Sequence, residues 1–121
     1  MSDKDNLKKL ESLTLSLSKS FERLKFFWNN SQDLFLVGDI DGNIYEVNDT
    51  WEKIFGYKRD EMVGKKWMEF VHPEDLKKTE DERKEMINRP ASGFINRYRH
   101  KNGNYITLQW NGSFFKQDSL V

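Results

Sequence analysis

The chain has 121 residues, with 20 basic side chains against 20 acidic ones and no cysteine. That length holds one domain plus at most an appendage, and the balanced charge gives no long-range field pointing to nucleic acid or a membrane surface. The lack of thiols excludes disulfides, thiolate metal sites, cysteine nucleophiles and thioether-linked haem or flavin. The apolar runs are too short to span a bilayer and no signal-peptide pattern opens the sequence. The simplest expectation is a soluble, cytoplasmic chain, with any membrane anchor lying outside this segment. Aromatic residues make up 14% of the sequence, four of them Trp, which is ample for a small core or a lined pocket.

Residues 3–30 read as one helix. Leu7, Leu10, Thr14, Leu17, Phe21, Leu24 and Trp28 alternate three- and four-residue spacing, a narrow heptad seam. Lys8, Lys9, Glu11, Lys19, Glu22, Arg23 and Lys25 fall off it. Leu13, Leu15, Phe26 and Phe27 widen the apolar surface. Two readings stand open: a helix packed back on its own domain, or an intermolecular coiled coil. Both can hold if the first half pairs between chains while Phe26–Trp28 cover the outer face of a sheet.

Asp33–Gly38 and Asn43–Asn48 read as strands joined by a tight turn at Asp41-Gly42. A short helix follows over Asp49–Phe55, started by the side-chain oxygen of Asn48 or Asp49 and ended by Gly56, with Trp51, Ile54 and Phe55 facing inward. Lys58–Val63 gives another helical turn, broken by Gly64. Trp67, Met68, Phe70 and Val71 form an apolar cluster. His72-Pro73-Glu74-Asp75 opens a charged helix that runs to about Asn88, its weak apolar face carried by Leu76, Thr79, Arg83, Met86 and Ile87. Arg89–Ser92 reads as a loop. Gly93–His100 alternates as a strand, with Phe94, Asn96 and Tyr98 on one face. After the Asn102-Gly103 turn, Tyr105–Phe115 returns with Ile106, Leu108 and Trp110 on one face. Gly112 marks a bulge or a close approach.

This order of strand, strand, three short helices, strand, strand, taken with its motifs, resembles the PAS domain family of sensory modules over almost all of residues 31–121. The matching residues are Asp41-Gly42 with Ile44, Val47-Asn48, Trp51, Phe55-Gly56-Tyr57, Gly64, His72-Pro73-Glu74-Asp75, Tyr98-Arg99, Asn102-Gly103 and Trp110-Asn111. Phe21-Glu22-Arg23-Leu24 is similar to the lead-in helix that commonly precedes such domains in bacterial sensors. The resemblance implies an α+β fold with a five-stranded antiparallel sheet whose fifth strand lies between the first and fourth. The sequence stops at Val121, where that strand would begin. The expectation is that the two halves close up, that another segment or chain fills the place, or that the sequence is cut from a longer protein. Shared strands in a two-fold arrangement would fit the same need.

Nothing in the sequence assembles a reaction centre. His72 reads as a helix N-cap and His100 as an exposed turn residue, and two lone histidines are not a metal site. Glu80, Asp81, Glu82 and Glu85 read as a solvated helix face. The three glycosylation-like triplets, such as Asn111-Gly112-Ser113, carry no meaning in a cytoplasmic protein. An enzyme is not expected; its best form would use Tyr98 or an Asp in a small pocket. Of the cofactors the resemblance implies, cysteinyl flavin and coumaric acid need a Cys. Haem usually needs a His on the long helix, and none stands between Glu74 and Asn88. Non-covalent flavin or another small molecule remains open, with Trp67, Phe94, Asn96, Tyr98, Leu108 and Trp110 as pocket candidates. The simpler reading makes these residues plain core, and Asn96 then needs hydrogen-bond partners.

The resemblance implies a sensing and dimerisation module of a longer signalling protein, of histidine-kinase or cyclic-di-nucleotide-synthase type. Leu10, Leu17, Phe21, Leu24 and Trp28 would form a homodimer helix. A ligand-free protein–protein interaction scaffold is the alternative.

Overall fold

The long N-terminal helix forms as its period predicts. In the computed structural model, which describes residues 2–115, α1 spans Asp3–Asn30. The Ser2 hydroxyl accepts from the Asp5 N–H at 3.3 Å, and Asp3 and Asp5 lie in the first turn, where the helix dipole favours negative charge. No residue of α1 is buried. Leu10, Leu17, Phe21 and Leu24 are 61–72% exposed, so the helix does not pack back along the domain. Phe26 and Phe27, expected to cover the outer face of a sheet, are also exposed. Of Phe26, Phe27 and Trp28, only Trp28 turns back, stacking on Phe35 with ring centroids 5.2 Å apart. Three consecutive helical residues point about 100° apart, so only one of them can meet the domain from this approach.

The first hairpin pairs β1 (Leu36–Gly38) with β2 (Ile44–Val47) in antiparallel fashion. Asp39 organises the turn: its Oδ1 accepts from the N–H groups of Asp41 and Asn43 at 3.0 and 2.9 Å, and Gly42 takes φ +89°. Both strands are shorter at their outer ends than expected. The N–H of Phe35 is taken by the Asn48 side chain at 2.9 Å in place of a strand partner.

Helix α2 (Thr50–Phe55) buries Trp51 and Phe55 completely. Ile54, expected inward, is 39% exposed. Trp51 and Phe55 lie four residues apart and share a face, and a helix this short has only one face against the core. No side chain caps α2, contrary to expectation: Asn48 Oδ1 accepts from the Phe35 N–H instead, and Asp49, at the cap position, makes no capping bond. Gly56 ends it at φ +83°, donating its N–H to the Glu52 carbonyl. A Cβ there would stand 3.3 Å from Lys101 Cβ and 3.4 Å from His100 Cε1. Gly56→Ala is expected to lower the unfolding free energy by about 1–2 kcal/mol, the cost of a left-handed L-residue, as read by urea denaturation.

Helix α3 (Arg59–Met62) is followed by Gly64 at φ +87° and a 3-10 turn over Trp67–Glu69. A second 3-10 turn, Pro73–Asp75, leads into α4 (Leu76–Glu85). His72 caps it as expected, its Nδ1 accepting from the Glu74 N–H at 3.0 Å. Beyond Glu85 the chain continues as hydrogen-bonded turns to Arg89.

The second hairpin pairs β3 (Ala91–Arg99) with β4 (Tyr105–Gly112). Ala91 and Ser92, read as loop, begin β3: Ala91 pairs with Gly112 across a register shift that ends at Phe94. Gly112 is the expected close approach, since a Cβ there would lie 2.8 Å from Met86 Cε. His100 is half-buried, tilted against Phe55 with ring centroids 6.4 Å apart.

The fold is α+β, and its strands are antiparallel throughout. Among the described residues they form two separate two-stranded sheets, β1–β2 and β3–β4. Val71 bridges Tyr98, and the His72 N–H donates to the Arg97 carbonyl at 2.8 Å, tying the helical connection to β3. Ile44, Val47, Trp51, Phe55, Met62, Phe70, Val71 and Tyr98 form the core between the hairpins and helices. The expected start of a fifth strand, at residues 116–121, lies outside the described residues.

Candidate functional site

A cavity of about 200 Å³ lies between the two hairpins. The first hairpin contributes Leu34, Phe35 and Leu36. Strand alternation on β3 turns Phe94, Asn96 and Tyr98 to it, β4 adds Trp110, and α4 supplies Thr79, Arg83 and Met86. Trp28, at the end of α1, forms part of the same wall. Of the six pocket candidates, Trp67, Phe94, Asn96, Tyr98 and Trp110 line this space. Leu108 does not: it packs with Ile106 against the core, while β4 reaches the cavity through Trp110, Asn111 and Gly112. Among the described residues this space, half open to solvent, is not filled by side chains. Thr79, Arg83 and Met86 were visible only as the weak face of a charged helix. Ala91 was masked by its reading as loop.

Asn96 is 2% exposed, and its partners are protein groups. Its Oδ1 accepts from Trp110 Nε1 at 2.7 Å, and its Nδ2 donates to Thr79 Oγ1 at 3.2 Å. Tyr98 is equally buried, and loss of water pushes its phenol pKa up, so it stands as a neutral hydroxyl. No group among the described residues hydrogen-bonds that hydroxyl or the buried Trp67 Nε1.

The charges at the cavity wall are paired. Arg83 donates to both Glu80 carboxylate oxygens and to the Ile40 carbonyl, which ties α4 to the first turn. Arg89 donates to Glu82 at 2.7 Å. Hydrogen bonds from these arginines hold the Glu80 and Glu82 carboxyls below their ordinary values. Glu80 and Glu82, read as solvated, are half-buried members of ion pairs.

Below the cavity, Asp75 anchors α4 to β3. Its carboxylate accepts from the Arg97 backbone N–H at 2.8 Å and from Arg97 Nε and Nη2, both at 2.9 Å. These bonds, opposed by burial, hold its pKa far below the usual carboxylate range. A folded-state value below the unfolded value of about 3.9 makes the contribution full above that pH and lost as pH falls through it toward the folded value. Asp75→Asn should therefore flatten the acid limb of a stability–pH curve below about pH 4, with little change in its slope near neutrality.

Asn48 joins α1 to the domain. It lies 2% exposed, accepting from the Phe35 N–H and donating from Nδ2 to the Trp28 carbonyl at 2.8 Å, the Asp33 carbonyl at 3.0 Å and Thr50 Oγ1 at 3.1 Å. Thr50 Oγ1 in turn donates to the Ser31 carbonyl at 2.6 Å. The Asp49 N–H donates to Asn29 Oδ1 at 3.1 Å. Among the described residues no group of side chains has a metal-ligating arrangement, and no helix is long and apolar enough to cross a membrane.

The geometry defines a small α+β domain of two antiparallel hairpins bridged by short helices around a cavity. Residues 44–120 match the PAS fold, and the chain belongs to that family. Against the curated proteins no match is found. Among solved structures, the chain is similar to a domain of a sensory box sensor histidine kinase/response regulator from Geobacter sulfurreducens. The TM-score is 0.72 at 17% identity, covering 86% of this chain and 90% of the other. It is also similar to the PAS domain of an HTR-like protein from Haloarcula marismortui, with a TM-score of 0.67 at 24% identity over 80% of each chain. The Drosophila melanogaster Cycle PAS-B domain with bound ethylene glycol gives a TM-score of 0.65 at 20% identity, covering 69% of this chain and 82% of the other.

Proposed function

We propose that this chain is the sensing and dimerisation module of a longer cytoplasmic signalling protein, with a histidine kinase or cyclic-di-nucleotide synthase as output. One observation carries the reading: Trp28 belongs both to α1 and to the wall of the cavity. Occupancy of the cavity then changes what the end of α1 packs against, and differential binding to two arrangements shifts their populations. The Geobacter domain, from a sensor kinase, supports the same output class.

The exposed seam Leu10, Leu17, Phe21 and Leu24 is the proposed homodimer face, with Trp28 at its end. Leu17→Glu and Leu24→Glu should each weaken self-association at least tenfold, by burying a charge in an apolar seam. Unchanged sedimentation in both variants would remove the seam from the proposal. A small molecule released on denaturation, detected by mass spectrometry, would support sensing. The hydrogen bonds of Asn96 to Thr79 and Trp110 favour a second reading, a ligand-free interaction scaffold; that reading requires that nothing is released and that no small molecule binds.

A further inference from the structure

We infer that the cavity selects a small uncharged aromatic molecule of one or two rings that carries an acceptor oxygen. This rests on the sensing reading above and deepens it.

Size sets the first limit. An apolar cavity of about 150 Å³ is known to admit benzene, and this one measures about 200 Å³. A flavin nucleotide, with three fused rings, a ribityl chain and phosphate, is too large to be enclosed in this half-open space. The walls set the second limit. Trp28, Phe35, Phe94 and Trp110 present aromatic rings, which pack best on another flat ring.

Charge sets the third limit. The two ionised side chains at the wall, Glu82 and Arg83, are already neutralised by Arg89 and Glu80. A buried anion or cation would have no free counter-charge, and burying an unpaired charge is strongly unfavourable. Hydrogen-bond inventory sets the last limit. Asn96 Oδ1 already accepts from Trp110. The unused capacity is on the donor side: the buried Trp67 Nε1, the Tyr98 hydroxyl, the Thr79 hydroxyl hydrogen and the second Nδ2 hydrogen of Asn96 have no acceptor among the described residues. Thr79, Asn96 and Tyr98 are more than nine-tenths buried. The complement of such a wall is an acceptor such as a carbonyl oxygen.

The test compares acetophenone with benzoate, ethylbenzene and flavin mononucleotide on the whole chain. The four tryptophans give four indole N–H signals by NMR, and those of Trp67 and Trp110 report on the cavity. Acetophenone is expected to move both saturably, with benzoate and ethylbenzene at least about fivefold weaker, the worth of one hydrogen bond or more. Tyr98→Phe removes a hydroxyl with no described partner, so the fold is retained. It should weaken acetophenone about fivefold and leave ethylbenzene unchanged. Benzoate binding as tightly as acetophenone would overturn the neutral class, and equal binding of ethylbenzene would overturn the acceptor. Flavin mononucleotide moving the same two signals would overturn the size limit while leaving sensing intact. If no probe moves them yet denaturation releases a small molecule, the class is wrong and sensing stands. If no probe moves them and nothing is released, both fall.

Discussion

Asn48→Ala is expected to lower the unfolding free energy by about 3 kcal/mol or more and to detach α1 from the domain. The asparagine is buried, and its side chain meets four hydrogen-bond partners, on residues 28, 33, 35 and 50, its two Nδ2 hydrogens shared among three acceptors. A methyl bonds to none of these partners. Each buried backbone group left without a partner costs about 1–3 kcal/mol, against about 1 kcal/mol for a typical hydrogen bond lost outright. The Thr50–Ser31 and Asp49–Asn29 bonds keep a partial link, so the cost stays below the sum of four orphaned groups. Chemical denaturation gives the stability. Hydrogen exchange gives the detachment, as faster exchange from Phe27 to Asn30 with the β3–β4 ladder unchanged.

Trp51→Ala is the other large effect, and its cause is volume. Trp51 is 1% exposed, with ring centroids 5.0 Å from Phe55, 5.6 Å from Tyr98 and 6.0 Å from Trp110. Its Nε1 also donates to the Phe35 carbonyl at 3.0 Å. Large-to-small replacement of a buried Trp costs about 3–5 kcal/mol through lost transfer energy and a residual void. Trp51→Phe keeps most of the packing but leaves the Phe35 carbonyl with one fewer donor. It should recover more than half of the loss, measured in the same denaturation series.

Local chemistry made much of the fold legible. The seam from Leu7 to Trp28, the turns at Asp41-Gly42 and Asn102-Gly103, and the stop at Gly56 depend only on residues near in sequence, so period and turn type located them. Features set by distant partners were not legible. Asn48 looked like a helix cap, yet its amide reaches residues 13 to 20 positions earlier in the chain. Glu80 and Glu82 looked solvated because a charged helix face gives no sign of its depth; Glu80 pairs with Arg83 one turn on, and Glu82 pairs with Arg89 beyond the helix end. Ile54 looked inward because six helical residues define a face poorly.

The candidate site divides in the same way. Alternation on β3 put Phe94, Asn96 and Tyr98 on one face, and the structure brings them together with Trp67 and Trp110. Their face was legible; the empty volume was not, because a void is a property of how all the walls pack. Leu108 shows the limit of the rule. It shares the face of Trp110 on β4 and, like it, packs partly buried against the core, yet only Trp110 also meets the cavity, because facing inward does not decide which part of the interior a side chain meets.

The central claim, that the state of the cavity is read at α1, has a direct measurement. The chain has no cysteine, so Ser16→Cys on the exposed helix gives a single position for a spin label. Dipolar spectroscopy on the labelled protein is expected to show two labels in one dimer, with a distance distribution that changes when acetophenone saturates the Trp67 and Trp110 signals. A distribution that stays the same at saturation, or the absence of any dipolar coupling, would contradict the claim.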